Sequence, residues 1–263
     1  KELELAQAAI TIARLEYPDL DPRDTLRDLD VLATEIRERL PRGARKEEFM
    51  AMICRRLFTE LEFRGNEENY YDPRNSCLNA VLERKLGNPI TLSILYMEIA
   101  KRLDLKADGI SFPGHFLVRV HCDRGVVVID PFNGGETLTE PDLRRRLAEV
   151  QGQTDANMAD LDELLAPASQ REILVRMLRN LKKIYLEERE MEKAIAAMSL
   201  ILAADPNSAT ELRERGLLYR EIEAFRAALG DLSSYLKIRP DAEDGEVVRH
   251  LVLELRAINA RFN

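Results

Sequence analysis

The fold is decided by one stretch, which runs from Gly-Asn-Pro-Ile-Thr-Leu-Ser (87–93) through Phe-Pro-Gly-His-Phe-Leu-Val-Arg (112–119) to Val-Val-Val-Ile-Asp-Pro-Phe (126–132). The first piece predicts a helix start, because Asn is a strong N-cap and Pro is favoured at the first helical position. Apolar residues continue nearly all round this helix to about Leu103, which is typical of a buried central helix. The other two pieces predict strands that pack against it.

Three short strands are predicted in this stretch, at residues 110–112, 116–121 and 126–130. The Asp-Arg-Gly turn at residues 123–125 joins the last two strands into a hairpin. Residues 126–129 are apolar on both faces, so we expect this strand to be covered on both sides. Apolar periodicity elsewhere predicts helices at residues 2–16, 24–40, 46–63, 77–86 and 141–150. The predicted fold class is therefore α+β, a helix-rich core with a small antiparallel sheet.

His115 and Asp130 are the polar residues of these strands that could act together. His115 begins one strand and Asp130 ends the next, so a hairpin with a short turn places them at the same end of the sheet. A carboxylate can orient a histidine through one ring nitrogen and leave the other nitrogen as a base. The same pair can also be a structural hydrogen bond that holds the hairpin, and both interpretations stay open.

A nucleophile would belong in the first turn of the central helix, where unpaired N–H groups and the helix dipole favour an anion. Thr91 lies there. One interpretation is a first-turn hydroxyl that bonds to the helix end, and the other is a hydroxyl activated by the His–Asp pair. Cys77 is the alternative nucleophile, because it lies one short helix away. A buried structural cysteine is the simpler interpretation of Cys77.

The segment from Gly65 to Asn75 is polar and aromatic and has no period. Such a segment can be an ordinary turn, or it can line a cleft. The candidate cleft residues are Tyr70, Tyr71 and Asn75, together with Asn79 on the short helix that follows. Ser76 is expected to cap that helix.

From Arg171 onward the sequence is helical and repeats itself. Two tetratricopeptide repeats are predicted, and a helix at residues 246–258 is expected to cover the second one. The array can bind a partner peptide in its groove, or it can brace the first domain. The predicted domains are residues 1–165 and 171–263, with a polar linker within residues 151–168. The period of 34 relates three pairs of positions: Tyr185 and Tyr219, Ala194 and Ala228, Pro206 and Pro240.

The formal charge of the 263 residues is -8, with acidic and basic residues mixed along most helices. This argues against a nucleic-acid surface and against a basic membrane patch. The basic runs at residues 144–146 and 171–183 fit solvated helix faces. No apolar run approaches the roughly 20 residues that span a bilayer. The three cysteines form no metal-ligand pattern, so we expect neither a metal nor another cofactor, and a cytoplasmic location is the simplest interpretation.

Four motifs of the first region are distinctive in combination. They are Asn-Ser-Cys-Leu-Asn (75–79), Leu-Gly-Asn-Pro-Ile-Thr-Leu (86–92), Phe-Pro-Gly-His-Phe-Leu-Val-Arg (112–119) and Ile-Asp-Pro-Phe (129–132). Together they resemble the transglutaminase-like fold of papain-type Cys-His-Asp enzymes. They are more similar still to the bacterial SirB-one family, which joins such a core to C-terminal tetratricopeptide repeats. The resemblance implies that His115 matches the family histidine and Asp130 the aspartate, while Thr91 stands at the position of the cysteine.

Two functions follow from this resemblance. The first is a degenerate, regulatory protein that binds or scaffolds a protein or peptide, either in the cleft or on the repeat groove. The alternative is a peptidase-like hydrolase or acyltransferase that uses Thr91 or Cys77 with His115 and Asp130. The missing family cysteine favours the first function, because a threonine hydroxyl is a weaker nucleophile than a thiolate and its rotamer is restricted.

Overall fold

The computed structural model describes residues 4–151 and 160–261. They form two compact units, the first ending at Met177 and the second beginning at Leu178. The first unit combines helices with two small sheets, and the described residues of the second unit form helices and turns. This confirms the predicted class, an α+β core followed by an all-α region.

Three amphipathic helices begin the first unit, close to their predicted positions. They are α1 (Leu5–Ala13), α2 (Pro22–Arg39) and α3 (Lys46–Cys54). The third helix is shorter than the predicted range, which extends to residue 63. Beyond Cys54 the chain continues as a π-helical turn, Arg55–Glu60, and the helical path stops where Glu62 takes a φ of 58°.

A two-stranded parallel sheet, absent from the sequence prediction, flanks the next helix. Its strands are β1 (Arg64–Gly65) and β2 (Leu86–Gly87), and α4 (Leu78–Arg84) lies between them in sequence. Strands of two residues are too short to show a period. The N-cap position of α4 is Cys77, so the expectation that Ser76 caps this helix is wrong. The Ser76 hydroxyl accepts a hydrogen bond from the Asn88 side chain at 2.8 Å instead.

Helix α5 (Pro89–Arg102) is the buried centre of the first unit, as predicted. Every residue from Pro89 to Ala100 is buried. All four preceding helices contact it, as do strands of the main sheet. Asn88 caps the helix, since its Oδ1 atom accepts the N–H of Thr91 at 2.9 Å.

The main sheet has four antiparallel strands in sequence order. They are β3 (Ala107–Ile110), β4 (Leu117–Cys122), β5 (Gly125–Asp130) and β6 (Glu136–Leu138). The predicted hairpin of β4 and β5 is confirmed, with Val118 opposite Ile129. The strand predicted at residues 110–112 lies earlier, because Pro113 lacks an N–H and Gly114 takes a φ of 69°, which both favour a turn.

The side chains of strand β5 are exposed to water at its hairpin end and buried at its other end. Val126 is 50% exposed, whereas Ile129 is fully buried, so the expectation of cover on both sides is wrong for the first residues. Val126 pairs with His121, which bonds to Asp108 at 2.6 Å, and these polar side chains keep that end of the sheet in contact with water. The buried end of the strand carries Asp130.

Helices α6 (Glu140–Gln151) and α7 (Leu161–Leu164) follow the sheet. Residues 152–159 of the predicted linker lie outside the described residues. The part from residue 160 to 168 is packed on the first unit. Pro167 forms a bridge with Ile110, and the N–H of Ala168 donates to the carbonyl of Gly109 at 2.8 Å, so this segment lines the free edge of β3.

The second unit is built from helix pairs with the predicted period of 34 residues. Helix α8 (Gln170–Glu187) begins in the first unit and belongs to the second unit from Leu178 onward. The other helices of the second unit are α9 (Met191–Ala204), α10 (Ala209–Glu221), α11 (Phe225–Ile238) and α12 (Gly245–Arg261). Both intra-repeat turns place a non-glycine residue at positive φ, 61° at Arg189 and 60° at Glu223. The two turns are closed by equivalent 2.8 Å bonds, Glu190 N–H to the Tyr185 carbonyl and Ala224 N–H to the Tyr219 carbonyl.

The last helix covers the second repeat, as predicted. Val248, Val252 and Leu255 of α12 are buried in one cluster with Leu232 and Tyr235 of α11. Removing this apolar face from water stabilises the end of the array, which would otherwise expose the core of its last repeat.

Candidate functional site

His115 and Asp130 form a hydrogen-bonded pair at one end of the main sheet. The Nε2 atom of His115 lies 2.9 Å from both carboxylate oxygens of Asp130. Asp130 ends β5 and His115 lies in the turn before β4, so antiparallel pairing brings them together. The carboxylate is fully buried, whereas 18% of the His115 side chain is exposed. When Nε2 of a neutral ring donates to Asp130, Nδ1 is left as an acceptor.

Four further donors bond to the same carboxylate. The backbone N–H groups of Phe132 and Asn133 reach Oδ1 at 3.0 and 3.3 Å, the Asn133 amide reaches Oδ2 at 2.8 Å, and Arg146 donates to Oδ2. Burial alone raises the pKa of Asp130, but the bonds from His115, Asn133 and Arg146 outweigh it and lower the pKa to about 2. The carboxylate is therefore ionised at neutral pH and saturated with donors.

Arg146 is the second cation at this carboxylate. It comes from α6 and also donates to Glu136. The expectation that residues 144–146 form a solvated face is wrong for Arg146, whose side chain is 19% exposed, and right for Arg145, which is 65% exposed. Successive helical residues point about 100° apart, so one of three neighbours can face the sheet while another faces water.

Arg176 holds the turn that carries His115. Its guanidinium donates to the Ser111 hydroxyl at 2.5 Å and to the carbonyls of Phe112 and His115 at 3.2 and 2.7 Å. It also lies 5.5 Å from the centroid of the Phe116 ring. Burial lowers the pKa of Arg176, which is another sign that this side chain does not belong to a solvated face.

Thr91 is fully buried in the first turn of α5. Its backbone N–H and its hydroxyl both bond to Oδ1 of Asn88, at 2.9 and 3.1 Å. Within the described ranges, no hydrogen bond joins Thr91 to His115. The hydroxyl donates to the helix cap, so its proton is not directed toward the imidazole.

Cys77 lies in a different part of the core. It is fully buried, and its thiol donates to the carbonyl of Pro73 at 3.6 Å. The apolar side chains around it are those of Ala13, Tyr17, Leu20 and Ala80. These neighbours place the thiol in an apolar part of the core, next to Ala13 of α1.

Asn75 holds the loop between β1 and α4 from within. It is buried; its amide donates to the carbonyls of Asn69 and Tyr70 at 2.8 and 3.2 Å, and its Oδ1 accepts from Asn66 at 3.0 Å. Asn79 is half-buried, and its Oδ1 has no hydrogen-bond partner among the described residues. Asn75 therefore shapes the loop, and Asn79 is left with an unused acceptor.

Four rings lead from the His–Asp pair to the surface, and we call His115, Phe132, Tyr70 and Tyr71 the aromatic row. Their successive ring centroids are 5.8, 6.1 and 5.3 Å apart, and each ring is nearly perpendicular to the next. Tyr70 and Tyr71 are 37% and 51% exposed. Gly65 makes room for the row, since a Cβ atom there would lie 2.4 Å from the Phe132 ring.

Comparison with known families assigns both units. Residues 23–179 match the family model of the transglutaminase-like superfamily, and residues 181–252 match that of the tetratricopeptide repeat. The first match covers more than half of the chain. The chain belongs to the transglutaminase-like superfamily.

Relatives of this transglutaminase-like chain share both regions. The chain is 44% identical over 255 residues to the UPF0162 protein of Xylella fastidiosa, which covers 95% of the chain and 89% of the relative. It is 31% identical over 244 residues to Protein SirB1 of Salmonella typhimurium, covering 92% and 87%. It is 30% identical over 239 residues to the UPF0162 protein YchA of Escherichia coli K12, covering 90% and 86%. These matches confirm the resemblance to the SirB-one family. No solved structure matches the chain.

In the residues that the structure describes, the His115 ring of this transglutaminase-like unit bonds to Asp130 through Nε2, while the Thr91 hydroxyl bonds to Asn88. The structure also contains no metal-binding group of three or more His, Cys, Asp or Glu side chains within residues 4–151 and 160–261. Over the same ranges, every helix is too short or too polar to cross a membrane. What the arrangement offers is one base, a saturated carboxylate and an exposed aromatic surface.

Several residues of the site could not be found from the sequence. Arg146 and Arg176 lie in basic runs that look like solvated faces, and Asn66 and Asn133 lie in polar loops without a period. Asn133 carries the clearest signal, because it directly follows the Ile-Asp-Pro-Phe motif. Side-chain amides that follow a strand end often bond back to the loop.

Proposed function

We propose that the first unit is a non-enzymatic transglutaminase-like module that binds a segment of another protein beside the aromatic row. The observation that carries this proposal is the hydroxyl of Thr91, which is buried and donates to Asn88. A second support is Asp130, whose charge is already compensated by Arg146. Tyrosine rings offer a large apolar area with a polar tip, which is the residue chemistry of protein interfaces.

The surface is ordered before any partner arrives. The side-chain amide of Asn66 donates to Oδ1 of Asn75 at 3.0 Å, and Gly65 packs against Phe132. A partner therefore does not need to immobilise these rings, which lowers the entropic cost of binding.

The test is selection of peptides from a random library on the full chain, followed by affinity measurement of the enriched peptides. We expect Tyr71→Ala to weaken binding about tenfold, as truncation of an interface tyrosine does. Val31→Ala is the matched control, because Val31 and Tyr71 are both 51% exposed. Equal affinity of wild type and Tyr71→Ala would contradict the proposal, and so would cleavage of the bound peptide seen by mass spectrometry.

The alternative is a hydrolase or acyltransferase, and the orientation of His115 favours it. Nε2 faces Asp130, so Nδ1 is the nitrogen available as a base. This function requires Thr91→Ala to abolish turnover, or Cys77 to react rapidly with an alkylating reagent in a manner lost in His115→Ala. Turnover that survives Thr91→Ala excludes Thr91 as the nucleophile.

We further propose a regulatory, cytoplasmic role in which the repeats contact a protein partner, as tetratricopeptide repeats commonly do. The division into domains 1–165 and 171–263 stays a prediction, as does the choice between a binding groove and a brace. Val247 on the repeat unit is 65% exposed, so a substitution there tests binding to the repeats. A partner lost in Val247→Asp but retained in Tyr71→Ala binds the repeats, whereas the reverse pattern indicates the cleft.

A further inference from the structure

A groove of about 500 Å³ lies on one face of the main sheet, at the hairpin end of β5. Val126 and Val128 of β5 line it together with Leu138 of β6, and helices α6 and α7 contribute Leu143 and Leu161. Four of these side chains pack in one hydrophobic cluster of the core, whereas Val126 is 50% exposed. The groove therefore has an ordered apolar lining that reaches the surface at Val126.

The backbone of Val126 faces an open edge of the sheet. His121 lies opposite Val126 on β4, but its N–H donates to the carbonyl of Lys106 on the β3 side. In an antiparallel ladder such a pair exchanges no backbone bonds, so the N–H and C=O of Val126 point away from β4. Strand β6 pairs with β5 at residues 128–130, and from Thr139 the chain turns into α6. Among the described residues, none pairs with Val126 on this side, and an open edge of this kind can accept another strand.

The charged side chains that line the groove leave it negative. Glu140 and Arg144 bond to each other at 2.8 Å, so these two charges compensate. Asp160 and Asp162 line the same groove and are exposed. Within residues 4–151 and 160–261, neither aspartate forms an ion pair, and residues 152–159 contain no Lys or Arg. Two uncompensated carboxylates therefore stand beside the apolar lining.

We propose that this groove binds an extended segment of a partner protein that carries an apolar residue and a Lys or Arg two positions apart. An extended segment directs such residues to the same face, so the apolar side chain can enter the groove while the basic one approaches Asp160 and Asp162. The segment pairs with the backbone of Val126 as an added strand. This surface lies at the opposite end of β5 from Asp130, and it goes beyond the binding function proposed for the aromatic row.

The test measures fluorescence anisotropy of labelled peptides on the full chain. The probe is Ser-Thr-Val-Thr-Lys-Thr-Ser, and the comparison peptide has Glu in place of Lys. We expect about tenfold tighter binding of the lysine peptide at low salt, with a smaller difference as salt is added. Val126→Asp should weaken this binding about tenfold. Asp160→Asn/Asp162→Asn should remove most of the preference for lysine, and the asparagine at position 160 can still cap α7.

Strand addition is tested by methylating the backbone nitrogen of the peptide valine, which removes the N–H that would donate to Val126. This change should weaken binding about tenfold, whereas methylation of the threonine between Val and Lys, whose N–H faces away from β5, should have a much smaller effect. Equal effects of the two methylations overturn the inference, because the segment would then not pair with the sheet.

The matched control for Val126→Asp is Val31→Asp, because Val31 is 51% exposed. Asp19→Asn/Asp28→Asn makes the same change in net charge at two exposed aspartates elsewhere in the first unit. Both controls should bind the lysine peptide as wild type does, and so should Tyr71→Ala. Failure of wild type to bind the lysine peptide, equal affinity for both peptides, or an equal loss in a control overturns the inference. The function proposed for the aromatic row is unaffected by these results, because it is tested by its own library peptides.

Discussion

Arg146 and His115 donate to the same oxygen of one buried carboxylate: Nη1 of Arg146 bonds to Oδ2 of Asp130, and Nε2 of His115 lies 2.9 Å from it. In a catalytic pair the carboxylate stabilises the imidazolium that forms during the reaction. Here a permanent cation, Arg146, already compensates that carboxylate. The shared oxygen fits a structural and binding role for His115.

Arg146 is expected to be the most sensitive residue of α6. Its replacement leaves Asp130 as a buried charge with incomplete compensation, which costs about 3–5 kcal/mol. Denaturant unfolding of Arg146→Met should show this loss. Arg145→Met is the control, since its exposed side chain predicts a change of about 0.5 kcal/mol or less. A loss no larger than that of the control would show that Arg146 contributes little.

Asp130 is expected to make folding stability depend on acid. Its pKa is about 2 in the folded protein against the ordinary aspartate value of 3.8, so the folded state binds the proton less readily than the unfolded state. The contribution is about 2 kcal/mol, is complete above about pH 5, and is lost as the pH falls toward 2. The difference in unfolding free energy between wild type and Asp130→Asn should therefore shrink from pH 7 to pH 3. A difference that is constant with pH would contradict the assignment.

Thr91→Cys is expected to create no reactive thiol. The site is fully buried, and the group there donates to Asn88. Burial in apolar surroundings raises the pKa of a thiol. Iodoacetamide should add no label to the native variant beyond that of wild type, and one further label after unfolding. Rapid native labelling that disappears in Thr91→Cys/His115→Ala would instead revive the catalytic interpretation.

Arg176 is expected to control the order of the turn that carries His115. Arg176→Met removes three hydrogen bonds to residues 111–115, each worth about 1.5–3 kcal/mol as a bond to a charged group. Hydrogen exchange at residues 111–116 should accelerate, while exchange in α5 stays slow. Arg27→Met, at a side chain that is 70% exposed, should leave both regions unchanged. Unchanged exchange in Arg176→Met would mean that other contacts hold the turn.

Much of the fold could be predicted because its signals are local. The N-cap at Asn88 and the apolar periphery of α5 predict the buried helix, and the 34-residue spacing of Tyr185 and Tyr219 predicts the repeats. The errors lie where the local signal is short or ambiguous. β1, β2 and β6 have two or three residues each, and Val126 is apolar in sequence but lies at an open hairpin end.

The residues of the candidate site that could be predicted are likewise those with a local signal. The sequence places His115 and Asp130 at one end of a hairpin, because register and turn length are local properties. It cannot show that Arg146 and Arg176 reach the site. Both lie in basic runs, and a run of basic residues looks the same whether a given arginine faces water or the protein. Nor can it show that Cys77 is enclosed by apolar side chains, because its neighbours depend on how α1 and α4 pack.

By itself, the sequence determined a buried N-capped helix, a hairpin with His115 and Asp130 at one end, and a helical repeat. It also showed a threonine, Thr91, in the first turn of that helix. The hydrogen bond and the burial of that threonine became visible in the folded chain. Its hydroxyl is enclosed by the core and bonded to Asn88, while Arg146 of α6 donates to Asp130. Hydrogen-bond direction and burial are set by how the helices and the sheet pack, and residue types and spacing do not specify them.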